Sequence, residues 1–403
     1  MIALAVVGAG AAGIAAATAA RERGLSAIIL EASDRAGGRA RTIEWQGHAL
    51  DLGATWLHSA GRNPLVPVAG RLRVDIDRSP ARWRDQYKGL GFSEQEQQRS
   101  WEAMEAFAAR LRTNPPASDR ASDALKPDGE WNGFLEALNG YLNGTSLAHV
   151  SAADFMAYWD SSENSNWRLP AGLGALIGVL ASSLEVRTGC ALQRVEQNGT
   201  TVRLVTQQGA IEAKRAVVAV PTTVLAAGDI AFDPPLDERL HAAAQLPLGR
   251  VEKLFFSLPD PETLPENGHL IGSPRSAETG SYMLRPLGMP VIEGFFGGDW
   301  LEGLTPEDLA AKARDELSQL LGSHFARSLS AVAHSDWKHE RFIRGSYSFA
   351  RPGRHGCRAA LAAPIDGPLA FAGEACSNDD FATVHGAWAS GRAAFEHLFP
   401  ASE

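Results

Sequence analysis

Three glycines, Gly8, Gly10 and Gly13, stand at the spacing G-x-G-x-x-G within the first thirteen residues. They follow directly on the apolar run Ile2–Val7 and lead into an alanine-rich stretch that reaches Arg23. No other feature constrains the chain as much, because an apolar run, clustered glycines and a helix-forming run in that order predict a strand, a tight turn and a helix. A second apolar run, 25–30, ends in Glu31. Strand, helix, strand and acid open a βαβ unit of the dinucleotide-binding kind. In such a unit the backbone at Gly8, Gly10, Ala12 and Gly13 approaches a pyrophosphate at the helix N-terminus, and Glu31 accepts hydrogen bonds from the adenosine ribose.

That loop does not distinguish NAD from FAD. The discriminating residues come after it, in the pattern Glu31-x-x-x-Arg35-x-Gly37-Gly38-Arg39-x-x-Thr42, with Ala32 beside the acid. FAD needs contacts for its pyrophosphate and ribityl beyond the first loop. A glycine pair beside arginines supplies close backbone approach and bidentate phosphate recognition.

A chain of 403 residues predicts at least two apolar cores. Its net charge is −9 and no dense Lys/Arg cluster occurs, which argues against a nucleic-acid partner. The three cysteines, Cys190, Cys357 and Cys376, are odd in number and lack C-x-x-C spacing, so neither a disulfide framework nor a metal site is expected, and a reducing, cytoplasmic location is. The apolar start lacks a basic segment and is taken as a strand rather than a signal peptide. No later run is long and apolar enough to span a bilayer, so no membrane association is expected.

Further along, Ser93 with Glu96 forms a capping box before the helical spacing of Trp101, Met104, Phe107, Ala108 and Leu111, and 131–142 again has helical character. Strand chemistry returns in 184–220, with Asn198-Gly199 as a hairpin turn. Apolar runs at 253–258 and 291–296 precede a helix capped by Thr305, and the chain closes with a strand at 369–372 and a helix from 384 to 398.

At the arginine–glycine motif the chain resembles the flavin monoamine oxidase superfamily, and the resemblance runs through most of its length. It continues at Gly53-Ala54-Thr55-Trp56, which in the family lies along the flavin, at Asn166-Trp167-Arg168, and at Leu192-x-x-Val195, where the family contacts adenine through the backbone. The C-terminal block Gly373-Glu374, with Thr383-Val384-His385, is similar to the family's second flavin segment, whose helix N-terminus stabilises negative charge on the reduced ring. His385 itself is assigned to a cap or core role.

Pattern and resemblance together imply an α/β architecture. A Rossmann-like FAD-binding domain is assembled from 1–74, 180–235 and 350–403, with an α+β substrate-binding domain, a mixed sheet plus helical lid, inserted as 75–179 and 236–349.

The resemblance also implies the chemistry. FAD would take a hydride from the carbon beside an amine nitrogen, giving an imine and then an aldehyde, and O2 would be reduced to H2O2. Lys253 sits where the family places a lysine that assists reaction with oxygen. Trp337 and Gly345-Ser346-Tyr347-Ser348 look like the family's W…GxYS stretch, with Tyr347 as one wall of an aromatic cage. Ser346 stands where monoamine oxidases carry a flavin-bonded cysteine, so the FAD is expected to be non-covalent. Thr383 replaces the second cage tyrosine, which moves the expected substrate toward polyamine-like or secondary amines. His58 matches a polyamine-oxidase position near the substrate nitrogen, or is a buried structural histidine. Lid aromatics such as Trp101, Trp131 and Tyr158 are candidates to line a pocket. The rival enzyme is an L-amino-acid oxidase, which would need Arg82, Arg84, Arg285 or Arg344 for the substrate carboxylate. The rival of another class is a non-catalytic protein that keeps FAD as a scaffold.

Overall fold

The architecture was obtained as a computed structural model that describes residues 1–400. The chain separates into two units, Met1–Ser79 with Ala157–Leu248 and Arg341–Glu403, and Pro80–Met156 with Gly249–Glu340.

The first unit is built on an eight-stranded sheet. Ile2–Val7 lies at its centre, parallel to Ala27–Leu30 on one side and to Gly209–Val218 on the other. Its residues are buried on both faces, as an apolar run in a parallel sheet should be. Leu4 and Val6 enter one core and Ala5 and Val7 the other, following the two-residue alternation of a strand. The long strand Gly209–Val218 uses its far edge twice. Gly209–Ala213 pairs antiparallel with the hairpin strand Thr201–Thr206, while Ala216–Val218 pairs parallel with Leu369–Phe371.

The helix Ala11–Glu22 follows the first strand, and its run of alanines lets other backbones come close. The C-terminal helix Val384–Leu398 packs there, and a side chain at Gly391 would collide with the Ala12 carbonyl at 1.9 Å.

The boundaries differ from those expected. Residues 75–79, 157–179, 236–248 and 341–349 join the first unit, not the substrate-binding part. The reason is burial: Leu173, Leu176 and Ile177 pack with Ile14 and Ala15, and Ala242, Ala243 and Leu246 pack beneath the other face of the sheet. The hairpin turn also shifts by one residue, since Asn198 still pairs with Thr201 and the loop is Gly199-Thr200.

The second unit centres on a five-stranded antiparallel sheet, in the order Gly268–Ile271, Ser281–Leu284, Val291–Gly297, Val251–Ser257, Ser330–His334. The helix Pro306–Leu321, started by the Thr305–Asp308 capping box, covers one face with Leu309, Ala313 and Leu317 against Leu254, Phe256 and Phe296. Helices Glu94–Thr113 and Asn132–Asn143 belong to this unit, and the Ser93–Glu96 capping box is formed. Trp101 meets Phe134 edge-on at 5.5 Å and Trp131 meets Phe92 at 5.8 Å, so these aromatics form a core of their own. Among the described residues no helix is long and apolar enough to cross a membrane.

Candidate active site

The glycine loop shows why each glycine is needed. Gly8 has φ +102, and a Cβ there would lie 2.4 Å from the Ala219 carbonyl oxygen. A Cβ at Gly13 would lie 1.9 Å from the Gly8 carbonyl oxygen, so strand and helix are in backbone contact. At Gly10 an added Cβ meets nothing within 4 Å. Gly10 is also the N-cap of Ala11–Glu22 and has no side-chain cap. The helix's first-turn amides, Ala12 and Gly13 among them, have no acceptor within the helix and carry its partial positive charge. An open, cationic cradle of this kind fits a dinucleotide pyrophosphate.

Glu31 lies at the end of the second strand. Its Oε2 accepts from the Ala9 amide at 2.7 Å and its Oε1 from the Ser33 amide and hydroxyl at 2.8 Å. Ala32 lies half-buried beside it. The second glycine pair folds back onto the first loop. Gly37 donates to the Ala9 carbonyl, Gly38 would place a Cβ 3.3 Å from the Gly10 Cα, and Arg35 Nη1 closes the turn on the Gly38 carbonyl at 2.9 Å.

Arg39 joins this region to the C-terminal block. Its Nη1 donates to the Ser346 carbonyl at 2.7 Å and to Glu374 Oε1 at 2.8 Å. The buried Glu374 also accepts from the Ser348 amide and hydroxyl and from the Ala382 amide. Burial would raise its pKa, but the charges of Arg39 and Arg358 and these hydrogen bonds outweigh it and hold the carboxyl below its ordinary value. Arg358, which the sequence did not single out, is wholly buried, bonded to the Ser348 hydroxyl and carbonyl, and stacked 3.6 Å over the Phe381 ring.

Gly53, Ala54, Thr55 and Trp56 follow a short ladder, with Ala54 donating to the Arg39 carbonyl and Trp56 lying under the Arg168 guanidinium at 4.9 Å. Asp51, just before them, serves the fold, since its two oxygens accept from Leu173 and Gly174 and cap the helix Leu173–Ser182. Leu192 is buried at the start of the hairpin strand Leu192–Asn198.

His58 and Asn166 are brought together by the two-residue ladder that pairs Leu57 with Trp167. Asn166 Nδ2 donates to the Asn164 carbonyl at 3.2 Å, which turns its Oδ1 toward His58 Nδ1 at 2.8 Å and assigns that nitrogen the proton. Thr383 is a helix cap: its Oγ1 accepts from Gly386 and donates to the Asp380 carbonyl, at the entrance to Val384–Leu398. Gly373, with φ +152, leads into Glu374. His385 is buried, with Nε2 at 3.1 Å from Asp380 Oδ1, and Arg62 grips the same carboxylate with both Nη atoms. Burial pushes the Tyr347 phenol well above its ordinary pKa, with Tyr158 adding to it, so the phenol is neutral.

Lys253 and Trp337 belong to the second unit. Lys253 forms a buried ion pair with Glu293 at 2.7 Å. Its amide donates to Ser335 Oγ, Ser335 donates to Glu252, and Glu252 accepts from the Trp337 amide at 3.0 Å. Burial raises the Glu252 pKa to about 7 against these bonds.

Arg358, Glu293 and Glu252 are the polar residues that sequence reasoning passed over, and Asn166 it marked only as part of a motif, without a role. Only Glu293 carries a signal, as a lone charge in an apolar run.

Comparison with known proteins agrees with this geometry. Residues 11–397 match the flavin-containing amine oxidoreductase family. The chain is 30% identical to polyamine oxidase 3 of Oryza sativa subsp. japonica over 97% of its length and 88% of that protein. It is 26% identical to lysine-specific histone demethylase 1 homolog 1 of Arabidopsis thaliana, over 96% of this chain and 51% of that one. Its fold is shared with cyclohexylamine oxidase from Brevibacterium oxydans IH-35A, with a TM-score of 0.83 at 20% identity and 98% coverage of both chains. A putrescine oxidase bound to putrescine superimposes with a TM-score of 0.78 at 21% identity, again over 98% of each chain. The chain therefore belongs to the flavin-containing amine oxidoreductases, and its activity is the FAD-dependent oxidation of an amine.

Proposed function

We propose that the protein oxidises a polyamine-like or secondary amine on non-covalently held FAD, with O2 as the acceptor and H2O2 as a product. The observation that carries this reading is Thr383. Its hydroxyl is committed to the helix N-terminus, donating to the Asp380 carbonyl and accepting from Gly386. A short side chain there leaves Tyr347 as the single aromatic wall, the arrangement associated with polyamine oxidases, and polyamine oxidases are among the relatives.

The chain's own residues divide the work. The amides of Gly10, Ala12 and Gly13 would hold the pyrophosphate and Glu31 the ribose, while the Glu374 hub fixes Arg39 and the segment 346–348 beside Gly373. The first-turn amides at Val384 would favour negative charge on a cofactor held at that helix N-terminus. Bound FAD would supply the two-electron acceptor for the hydride on the amine's α-carbon, with O2 as the terminal acceptor. A simple amine has a pKa of about 10, so most of it arrives protonated and without the lone pair that assists hydride loss. A half-buried, neutral Tyr347 favours the uncharged amine by desolvation. Lys253 assists the reaction with O2, and Ser346 leaves no thiol for a covalent flavin link.

The amino-acid-oxidase reading loses support from three of its four arginines, since Arg285 pairs with Glu262, Arg344 pairs with Asp229, and Arg84 stacks on Trp101, while the fourth, Arg82, is exposed. Oxygen-electrode turnover with coupled H2O2 detection tests the proposal. Spermine, spermidine or acetylated polyamines should give one H2O2 per O2 consumed. Turnover with L-amino acids alone would overturn the substrate, and consumption without H2O2 would overturn the acceptor chemistry.

A further inference from the structure

Lys253 lies in the strand Val251–Ser257 and Glu293 in the neighbouring antiparallel strand Val291–Gly297. The register sets Lys253 opposite Phe295 and Phe255 opposite Glu293. Directly opposed residues share a face, as do residues two apart, so Glu293 is the diagonal neighbour of Lys253 on the same face. There the ammonium and carboxylate meet at 2.7 Å, with 6% and 9% of their side chains exposed. Every other residue of Val291–Gly297 is apolar or glycine. The opposite face of the same strands needs no charge to pack, since Ile292, Phe296, Leu254 and Phe256 already form its core. A carboxylate kept in such a strand is unfavourable unless its charge is matched.

We propose that Glu293 is the positioning residue for Lys253, fixing its ammonium in one place. This rests on the reading of Lys253 as the residue that assists reaction with O2. A lysine stem has many rotamers, and a single oxygen at 2.7 Å selects one of them. The backbone of Lys253 is held from the other direction by Ser335, which Glu252 in turn orients. O2 gains negative charge as it is reduced, and a positive charge held in advance favours that step without reorganisation.

The test is stopped-flow reoxidation of the holoenzyme after anaerobic photoreduction, in Lys253→Met, Glu293→Gln, Glu293→Asp and the Lys253→Met/Glu293→Gln double variant, with Tm measured for each. Lys253→Met should slow reoxidation by about tenfold or more. Glu293→Gln should slow it several-fold, and Glu293→Asp, which keeps the charge, should recover part of that loss. In the double variant Glu293→Gln should add no further slowing, because a residue that acts through another has no effect once the other is gone. Tm should fall in Lys253→Met, which leaves a buried carboxylate alone, and recover in the double variant.

Wild-type reoxidation in both Glu293 variants beside a slow Lys253→Met would overturn the role of Glu293 and leave that of Lys253 intact. Effects that multiply in the double variant would overturn it too. Wild-type reoxidation in Lys253→Met would overturn the role of Lys253 itself, and a Tm recovery in the double variant would then mark the pair as purely structural.

Discussion

The two units each bury a carboxylate against a cation, and they do it differently. In the first, Glu374 is a hub with Arg39, Arg358, Ser348 and Ala382 all directed to it or to its partners. In the second, Glu293 answers Lys253 within one antiparallel strand pair, with Glu252 orienting the backbone from the far side. The hub ties together pieces distant in sequence, at 39, 348, 358, 374 and 382, and so builds the cofactor-side framework. The pair joins two neighbouring strands of one sheet. A framework is robust to the loss of one contact, whereas a pair is not.

Removing the centre of the hub should have the largest effect. Glu374→Leu leaves the wholly buried Arg358 and the half-buried Arg39 without their carboxylate, and should cost about 3–5 kcal/mol in denaturant unfolding together with FAD content. Arg39→Lys, which leaves Arg358 and the Ser348 and Ala382 bonds in place, should cost much less. Equal losses would break the distinction between hub and pair.

The pH dependence of stability should have opposite signs in the two units. The folded-state pKa of Glu374 is depressed, so its stabilisation is present above the ordinary carboxylate range and is lost as pH falls through the folded value. For Glu252 the folded-state pKa is raised from 4.5 to about 7, so the unfolded chain releases the proton first and stability declines as pH rises across that window. The difference is on the order of 3 kcal/mol. Glu252→Gln should flatten the decline, measured by unfolding from pH 4.5 to 7, and an unchanged profile would place its cause elsewhere.

Within the first unit, two alanine substitutions should part. Gly13→Ala forces a Cβ to 1.9 Å from the Gly8 carbonyl and should cost about 1–3 kcal/mol. Gly10→Ala has open space and should leave apoprotein stability unchanged while weakening FAD binding, as read by flavin titration. The smallest effect belongs to Thr383→Ala, which loses the N-cap and should cost about 1 kcal/mol, with Thr383→Ser recovering it.

The same contrast explains what could be read in the chain before its structure. The glycine loop, Glu31 and the capping boxes are local: spacing alone decides them, and they form where expected. The helix Leu173–Ser182 starts on a cap supplied by Asp51, more than a hundred residues earlier, so no local pattern announces which core it joins. Arg358 sits in a short helix with Arg354 nearby, a sequence indistinguishable from a solvated surface, and only tertiary packing buries it under Phe381. Glu293 is a single charge among apolar residues, and its meaning depends on a strand register that the sequence does not state.

Whether the amine oxidised is polyamine-like can be decided by anaerobic bleaching of the bound flavin, which reads the amine half of the reaction alone. Spermine, spermidine, acetylated polyamines, putrescine, aromatic monoamines and L-amino acids would each be mixed with the yellow holoenzyme without oxygen. One or more of the polyamines should bleach it fast, and aromatic monoamines and L-amino acids slowly or not at all. Fast bleaching by L-amino acids, with none by any polyamine, would refute the polyamine reading.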